Sequence, residues 1–262
     1  MGRRMADRVV ICMKWGTAFA PDYVNVLHSA CRRAMRGPFR FVCLTDDPAG
    51  LAAGVETFGI PDIGLEPAEW YRRGAWPKIG LFDGHLHGLR GRGLFIDLDM
   101  MILRDLDAFF DDDRRFVGID AGPDWGRGGA TARSELGTGI FAYDLGAHGD
   151  IPQTFRQTKA QVFASLRNEQ RFVAGQMPRV DYWPEGWVIS FKRTLRRPIG
   201  PDLFLSPRKP PDSARIIAFH GKPRPIDLIR GRPRFWDRFP HLGNGRVGWM
   251  ADYWRENGGG EV

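Results

Sequence analysis

The stretch from residue 7 to residue 45 runs strand, helix, strand, and this order limits the fold more than any other feature of the chain. DRVVICMKW (7–15) is short, β-branched and apolar at consecutive positions, the pattern of a buried strand. From Pro21 or Asp22 onward, Val24, Leu27, Cys31 and Ala34 recur 3, 4 and 3 residues apart and mark one face of a helix. Gly37 and Pro38 stop it, and FRFVCLT (39–45) is a second strand that ends in DDPAG. Parallel strands need a crossover of this kind, so the chain begins as an α/β sheet.

The remaining segments extend that sheet. VETFGI (55–60) reads as a third strand, and WPKIGLFDGHL (76–86) as a helix opened by Pro77. RRFVGID (114–120), GTGIFAYD (137–144), WVISFK (187–192) and ARIIAFHG (214–221) are further apolar segments, with a helix over 151–167. Prolines are dense from 191 to 240, which predicts mostly loop there. The 262 residues, 43% apolar, suffice for one large domain or two modest ones. Without a repeat or a linker, one domain is the simpler organisation. The expected fold is α/β, with a mixed, mainly parallel central sheet flanked by helices and an irregular basic C-terminal region.

Composition excludes some functions. No apolar run reaches membrane-spanning length, and MGRRMADRVV lacks the apolar stretch of a signal peptide. Cys12, Cys31 and Cys43 follow no metal or redox spacing, so the expectation is reduced core thiols in a cytoplasmic protein. The formal charge of +7 is unevenly spread: residues 191–255 hold 15 Lys/Arg against 5 Asp, a local net of +10. Of the 38 basic residues only six are lysine, so each lysine marks a place where arginine has not been used.

The run GLFIDLDMMILRDL (93–106) sets Asp97 and Asp99 among apolar residues, where a bare carboxylate is costly. In a strand, residues two apart share a face, so both acids would point together while Leu98 packs opposite. Open α/β sheets bind ligands at the carboxyl ends of their strands. A hard divalent cation, Mn2+ or Mg2+, would offset the desolvation of such a pair. Spacing alone leaves open a second reading, in which the acids cap backbone amides. A second motif favours the metal. IIAFHGKPRP ends an apolar strand in His220, a candidate third ligand, followed by Gly221 for close backbone approach and Lys222 as a compact charge for a diphosphate.

FIDLDMMIL, HGKP, WPKIGLF and GTGIFAYD together resemble the retaining glycosyltransferases of family 8 and their bacterial relatives, which have the GT-A fold, over roughly residues 8–225. The resemblance implies a single domain over 1–262: a nucleotide-sugar-binding half (8–120), an acceptor and catalytic half (121–225), and a basic aromatic extension (226–262). It implies Asp97, Asp99 and His220 as ligands of manganese, held against the diphosphate of a UDP-linked sugar, with Asp97 also near the ribose. It places Lys78, Lys222, Gly221, Thr138 and Gly139 at the donor, and Glu169 and Gln170 of NEQRFVA near the anomeric carbon. Asp120 would meet sugar hydroxyls, and Lys14 and Tyr23 the nucleotide. Residues alone also allow Lys78 to be a solvated helix-start lysine and Tyr23 a core residue. The sequence departs from the family at three places: the histidine motif, usually H-x-x-G-x-x-K-P, is compressed to HGKP, Gly137 stands for an asparagine, and Glu169 for an aspartate.

The implied reaction moves a hexosyl group to an unidentified glycan, lipid or protein acceptor, with the departing diphosphate stabilised by the metal and Lys222. Two other classes compete. A haloacid-dehalogenase-like phosphatase also has an apolar D-x-D strand, but its strand usually comes first and is followed by Thr or Val where Met101 stands. A nucleic-acid binder would use the R-G-R-P of IRGRPRF inside the basic third; those residues sit among aromatics rather than in a polar tail, which disfavours nucleic acid. The arginines interleaved with Phe235, Trp236, Phe239, Trp249, Tyr253 and Trp254 suit peripheral contact with the inner face of a membrane. The same aromatics could instead fold back over the core.

Overall fold

The computed structural model describes residues 8–111, 114–122, 134–230 and 235–260. β1 (Arg8–Lys14) is buried at every residue but the first. The chain crosses through α1 (Pro21–Ala34) to β2 (Arg40–Thr45), which pairs parallel to β1 with Cys12 opposite Cys43. β3 (Glu56–Phe58) adds parallel to β2. A 3-10 helix, Trp76–Phe82, then leads to β4 (Arg92–Ile96), which returns to the other side of β1, again parallel.

β5 (Met100–Ile102) leaves this sheet, and α2 (Asp107–Phe110) follows. β6 (Phe116–Asp120) and β7 (Leu136–Asp144) come next, β7 lying antiparallel to both β4 and β6. After α3 (Asp150–Ser165) and α4 (Glu169–Gln176), β8 (Asp181–Tyr182) adds parallel to β6. The large sheet has the order β3-β2-β1-β4-β7-β6-β8. β9 (Val188–Ser190) and β10 (Ile216–Ala218) join β5 in a small second sheet of order β5-β10-β9.

Strand alternation divides the core. Val10, Cys12, Leu94 and Ile96 face α1 and the C-terminal region, while Val9, Ile11, Met13 and Phe95 face the 3-10 helix, α3 and α4. On the latter side Phe82, Phe95, Phe116, Phe141 and Tyr143 form one aromatic cluster, with ring centroids 5.1 to 6.3 Å apart. Tyr143 donates its hydroxyl to Leu81 O at 2.6 Å, which keeps the buried phenol satisfied. All three cysteines are buried and free.

Several boundaries differ from the sequence reading. WPKIGLF forms a seven-residue 3-10 helix, a little over two turns, rather than a helix to residue 86. WVISFK yields only three strand residues before a single π turn at Phe191–Leu195, and the strand before His220 ends at Ala218. The acids lie just past β4, in a turn, not within the strand.

The C-terminal segment folds back over the first face of the core. α5 (Pro225–Ile229) packs against α6 (Gly248–Glu256), whose Trp254 meets Tyr23 edge-on at 5.2 Å. Trp236 and Trp254 are buried and Trp249 and Tyr253 partly so, so these aromatics cover core; Phe235 and Phe239 remain exposed. The R-G-R-P of residues 230–233 falls mostly outside the described residues. No helix among the described residues is long and apolar enough to cross a membrane. The aromatic cluster should dominate stability: Phe141→Ala is expected to cost about 3–5 kcal/mol, read as a lower urea midpoint at unchanged slope.

Candidate active site

Asp97 directly follows β4, and Met100 N donates to Asp97 O at 3.1 Å, closing a tight turn over 97–100. Leu98, only 5% exposed, anchors the turn in the core, and the two acids stay half-buried. A turn keeps both carboxylates at the carboxyl end of the sheet, where the strand geometry had also put them, but for a different reason. Asp97 N donates to Gly139 O at 2.8 Å, which ties the turn to β7. A side chain at Gly139 would begin 2.2 Å from the Met100 methyl and 3.5 Å from an Asp97 oxygen, so glycine keeps this approach open.

Lys78, projecting from the 3-10 helix, is 4% exposed, so it is no solvated lysine. Its Nζ donates to Asp97 Oδ2 at 3.0 Å and Thr138 O at 2.8 Å, and lies 3.4 Å from Glu169 Oε1. Desolvation would lower this lysine, yet the two carboxylates hold it above its ordinary value and therefore charged. Thr138 Oγ1 donates to Glu169 Oε1 at 2.6 Å, and Thr138 N to Gln170 Oε1 at 3.4 Å. α4 is placed for this by Asn168, which accepts from Arg171 N, and by Glu169 N donating to Gly74 O at 2.9 Å. One network thus joins the 3-10 helix, the acid turn, β7 and α4.

His220 approaches from the small sheet. Ser190 Oγ bonds its Nε2 at 2.7 Å, and Lys192 Nζ donates to its carbonyl at 2.8 Å. Burial, with Lys192 and Arg193 nearby, pushes the imidazole down to about 4, so it is neutral near pH 7. Gly221 adopts φ +75°, which few other residues would accept.

Two adjoining cavities meet at the acids. One, of 530 Å³, is walled by Trp15, Phe19, Trp70 and Tyr71. The other, of 1240 Å³, is lined by Thr138, Gly139, Glu169, Gln170, His220 and Gly221 together with apolar residues such as Ile119 and Phe219. Arg72, Arg73, Lys78, Asp97, Asp99 and Arg224 border both.

Four candidates fall outside. Lys14 is buried and donates to Asp47 O at 3.2 Å. Tyr23 is a core residue packed between Phe19 and Trp254. Asp120 organises its own loop by accepting from Gly122 N and Ser134 Oγ, at 2.9 and 2.7 Å. Lys222 is exposed and lines neither cavity.

Among the described residues no three of His, Cys, Asp and Glu are gathered into a ready-made metal cage. What exists suits a cation that shares its ligands with a substrate. Desolvation pushes Asp97 up to about 6 against the pull of Lys78; desolvation and then the Asp97 charge push Asp99 up to about 7. A divalent cation would relieve both carboxyls and fill its remaining positions with phosphate oxygens and water. The donor set therefore fits manganese or magnesium.

The cavity-wall residues Trp15, Trp70, Tyr71, Arg73 and Arg224 had escaped the sequence reading. YRR before WPKIGLF was the only local hint, an aromatic beside two cations without helical or strand spacing.

No protein-family model matches the chain, and no curated protein matches it. Solved structures do. The galactosyltransferase LgtC, in complex with donor and acceptor sugar analogs, aligns at TM-score 0.60 and 13% identity over 95% of this chain and 94% of its own. The glycosyltransferase GlyE of Streptococcus pneumoniae TIGR4 aligns at 0.55 and 13% identity over 95% of this chain and 62% of its own. The bifunctional glycosyltransferase WbbM aligns at 0.53 and 13% identity over 96% of this chain and 49% of its own. At such identity the likeness is one of architecture: this chain has the GT-A fold found in these glycosyltransferases.

Proposed function

We propose that the protein is a metal-dependent glycosyltransferase of the family 8 kind, moving a hexosyl group with retention from a UDP-sugar to a glycan, lipid or protein acceptor. The observation that carries this reading is the position of Asp97 and Asp99 where a cavity walled by aromatics meets one whose wall offers Thr138, Glu169 and Gln170. A nucleotide-sugar has the same layout: a flat base, a charged diphosphate in the middle, and a hydroxyl-rich sugar. LgtC, whose structure holds donor and acceptor sugar analogs, supports the same direction.

Asp97, Asp99 and His220 would hold the metal, which supplies Lewis-acid stabilisation of the charge that develops on the leaving diphosphate. The protein's own residues do the rest. Lys78 keeps Asp97 ionised and fixed, so that the turn does not shift when ligand arrives. Thr138 and Gly139 form the floor on which the sugar rests. Glu169 is already engaged by Thr138 and Lys78, which makes it a positioning residue. Gln170 borders the same cavity and has an amide oxygen suited to a positive anomeric carbon.

The acceptor side is proposed to face a membrane. Ile199, Phe204 and Leu205 are exposed, as are Phe235 and Phe239. Asp202, bonded by Arg196 and by His241 at 3.1 Å, fastens the first segment to the second, and Arg196 also pairs with Asp237. Exposed aromatics with arginines beside them match the boundary of an anionic bilayer.

Three outcomes test these statements. Calorimetry with UDP and manganese should show binding to the native protein and none of the metal-dependent part to Asp99→Ala, with the melting temperature retained; equal affinity in the variant rejects the metal site. Gln170→Ala should lower kcat about 100-fold while leaving KM for the donor within about threefold, as for loss of a contact made chiefly in the transition state. Sedimentation with vesicles containing anionic lipid should carry the native protein down at low salt, and Phe204→Ser with Phe239→Ser should stay in solution. Equal sedimentation of the two would place the membrane contact elsewhere.

A further inference from the structure

The compressed HGKP motif directs attention to Lys222 as the diphosphate cation, yet Lys222 is exposed and borders neither cavity. Two residues later, Arg224 borders both. Its Nη1 donates to Ala18 O at 2.7 Å, and its guanidinium carbon lies 4.5 Å from the centroid of the Phe19 ring. Its backbone is fixed as well: Arg224 N donates to Asp227 Oδ2 at 2.9 Å at the start of α5, and Pro225 follows. Among the described residues Arg224 forms no ion pair: Asp227, which accepts from its backbone, turns its other oxygen to Arg230 at 3.9 Å, and Asp99 feels the guanidinium charge, which acts to lower that carboxyl against desolvation. Of the five guanidinium N–H donors, Ala18 takes one. A half-buried arginine without a carboxylate partner, at the one place where two cavities and two acids meet, has donors to spare for an anion.

We propose that Arg224, and not Lys222, binds the diphosphate of the donor, and that its hold on Ala18 and Phe19 couples this contact to the loop walling the nucleoside cavity. The assignment rests on the nucleotide-sugar reading above. The planar guanidinium fork fits two phosphate oxygens at once, which a lysine ammonium does not. Because the same side chain braces the loop that carries Phe19, arrival of the diphosphate and ordering of the nucleoside wall become one event. Arg224 is thus a binding residue at one end and a positioning residue at the other.

Calorimetry with a nucleoside and its diphosphate, with and without manganese, separates the two roles. UDP, GDP, CDP and ADP are first titrated into the native protein, and the tightest is carried forward with its parent nucleoside. Arg224→Gln should weaken the diphosphate at least about tenfold more than the nucleoside, the loss appropriate to charged hydrogen bonds. Arg224→Lys should recover part of that loss, and Lys222→Ala should cost less than either. If Arg224→Gln proves unfolded by its melting curve, Arg224→Lys decides alone: diphosphate affinity equal to that of the native protein overturns the bidentate contact. A larger loss for Lys222→Ala than for Arg224→Gln overturns the assignment. So does an equal loss of nucleoside and diphosphate in Arg224→Gln, which would make the arginine a loop brace only. Failure of the native protein to bind any of the four diphosphates would reject the nucleotide-sugar reading itself, a result distinct from either of these.

Discussion

The ammonium of Lys78 sits nearly out of water between Asp97, Glu169 and a backbone carbonyl, and the rest of the site is arranged around it. A buried charge of this kind is costly unless each of its donors is met, and removing one partner leaves another stranded. Three elements separated along the chain supply those partners, so none can shift without exposing an unpaired charge. The interaction is therefore better seen as fixing one arrangement than as adding stability. It also explains why Asp97 differs from Asp99: the first is held in direct contact with Lys78, while the second feels Lys78 and Arg224 only at a distance.

Much of the fold was legible because strands covered on both faces are apolar at consecutive positions, and β1, β2 and α1 appear where residues 7–45 place them. The acids were legible for a similar reason, since two carboxylates inside GLFIDLDMMIL conflict with their surroundings and ask for compensation. Their local geometry was not. A tight turn and a strand both bring residues two apart to one side, and only the Met100–Asp97 hydrogen bond tells them apart. The aromatic cavity wall was hidden because Trp15 and Trp70 are 55 residues apart and meet only through the packing of two loops. R-G-R-P and much of the peptide around it bear on nucleic-acid binding only through sequence, as residues 231–234 lie beyond those described.

The scarcity of lysine was an uneven guide. It marked all six lysines alike; of the three the sequence reading took up, Lys78 meets the acids, while Lys14 and Lys222 do not line the cavities. It missed Arg224, because in a chain where 32 of 38 cations are arginine no single arginine stands out. Residue type is informative only against its background frequency, and here the background concealed a cation that borders both cavities.

The hydrogen bond from Ile102 N to the Tyr253 hydroxyl, 3.1 Å long, bears on the open edge of the small sheet. β5 is the outermost strand of the small sheet, and an outermost strand presents unpaired amides to any neighbouring chain. α6 lies over that edge and gives one of those amides an internal partner, while Trp254 covers the adjoining apolar face of α1. The last helix thus serves as an edge guard. A chain cut before Gly248 would keep every residue lining the two cavities and still be prone to strand-to-strand stacking.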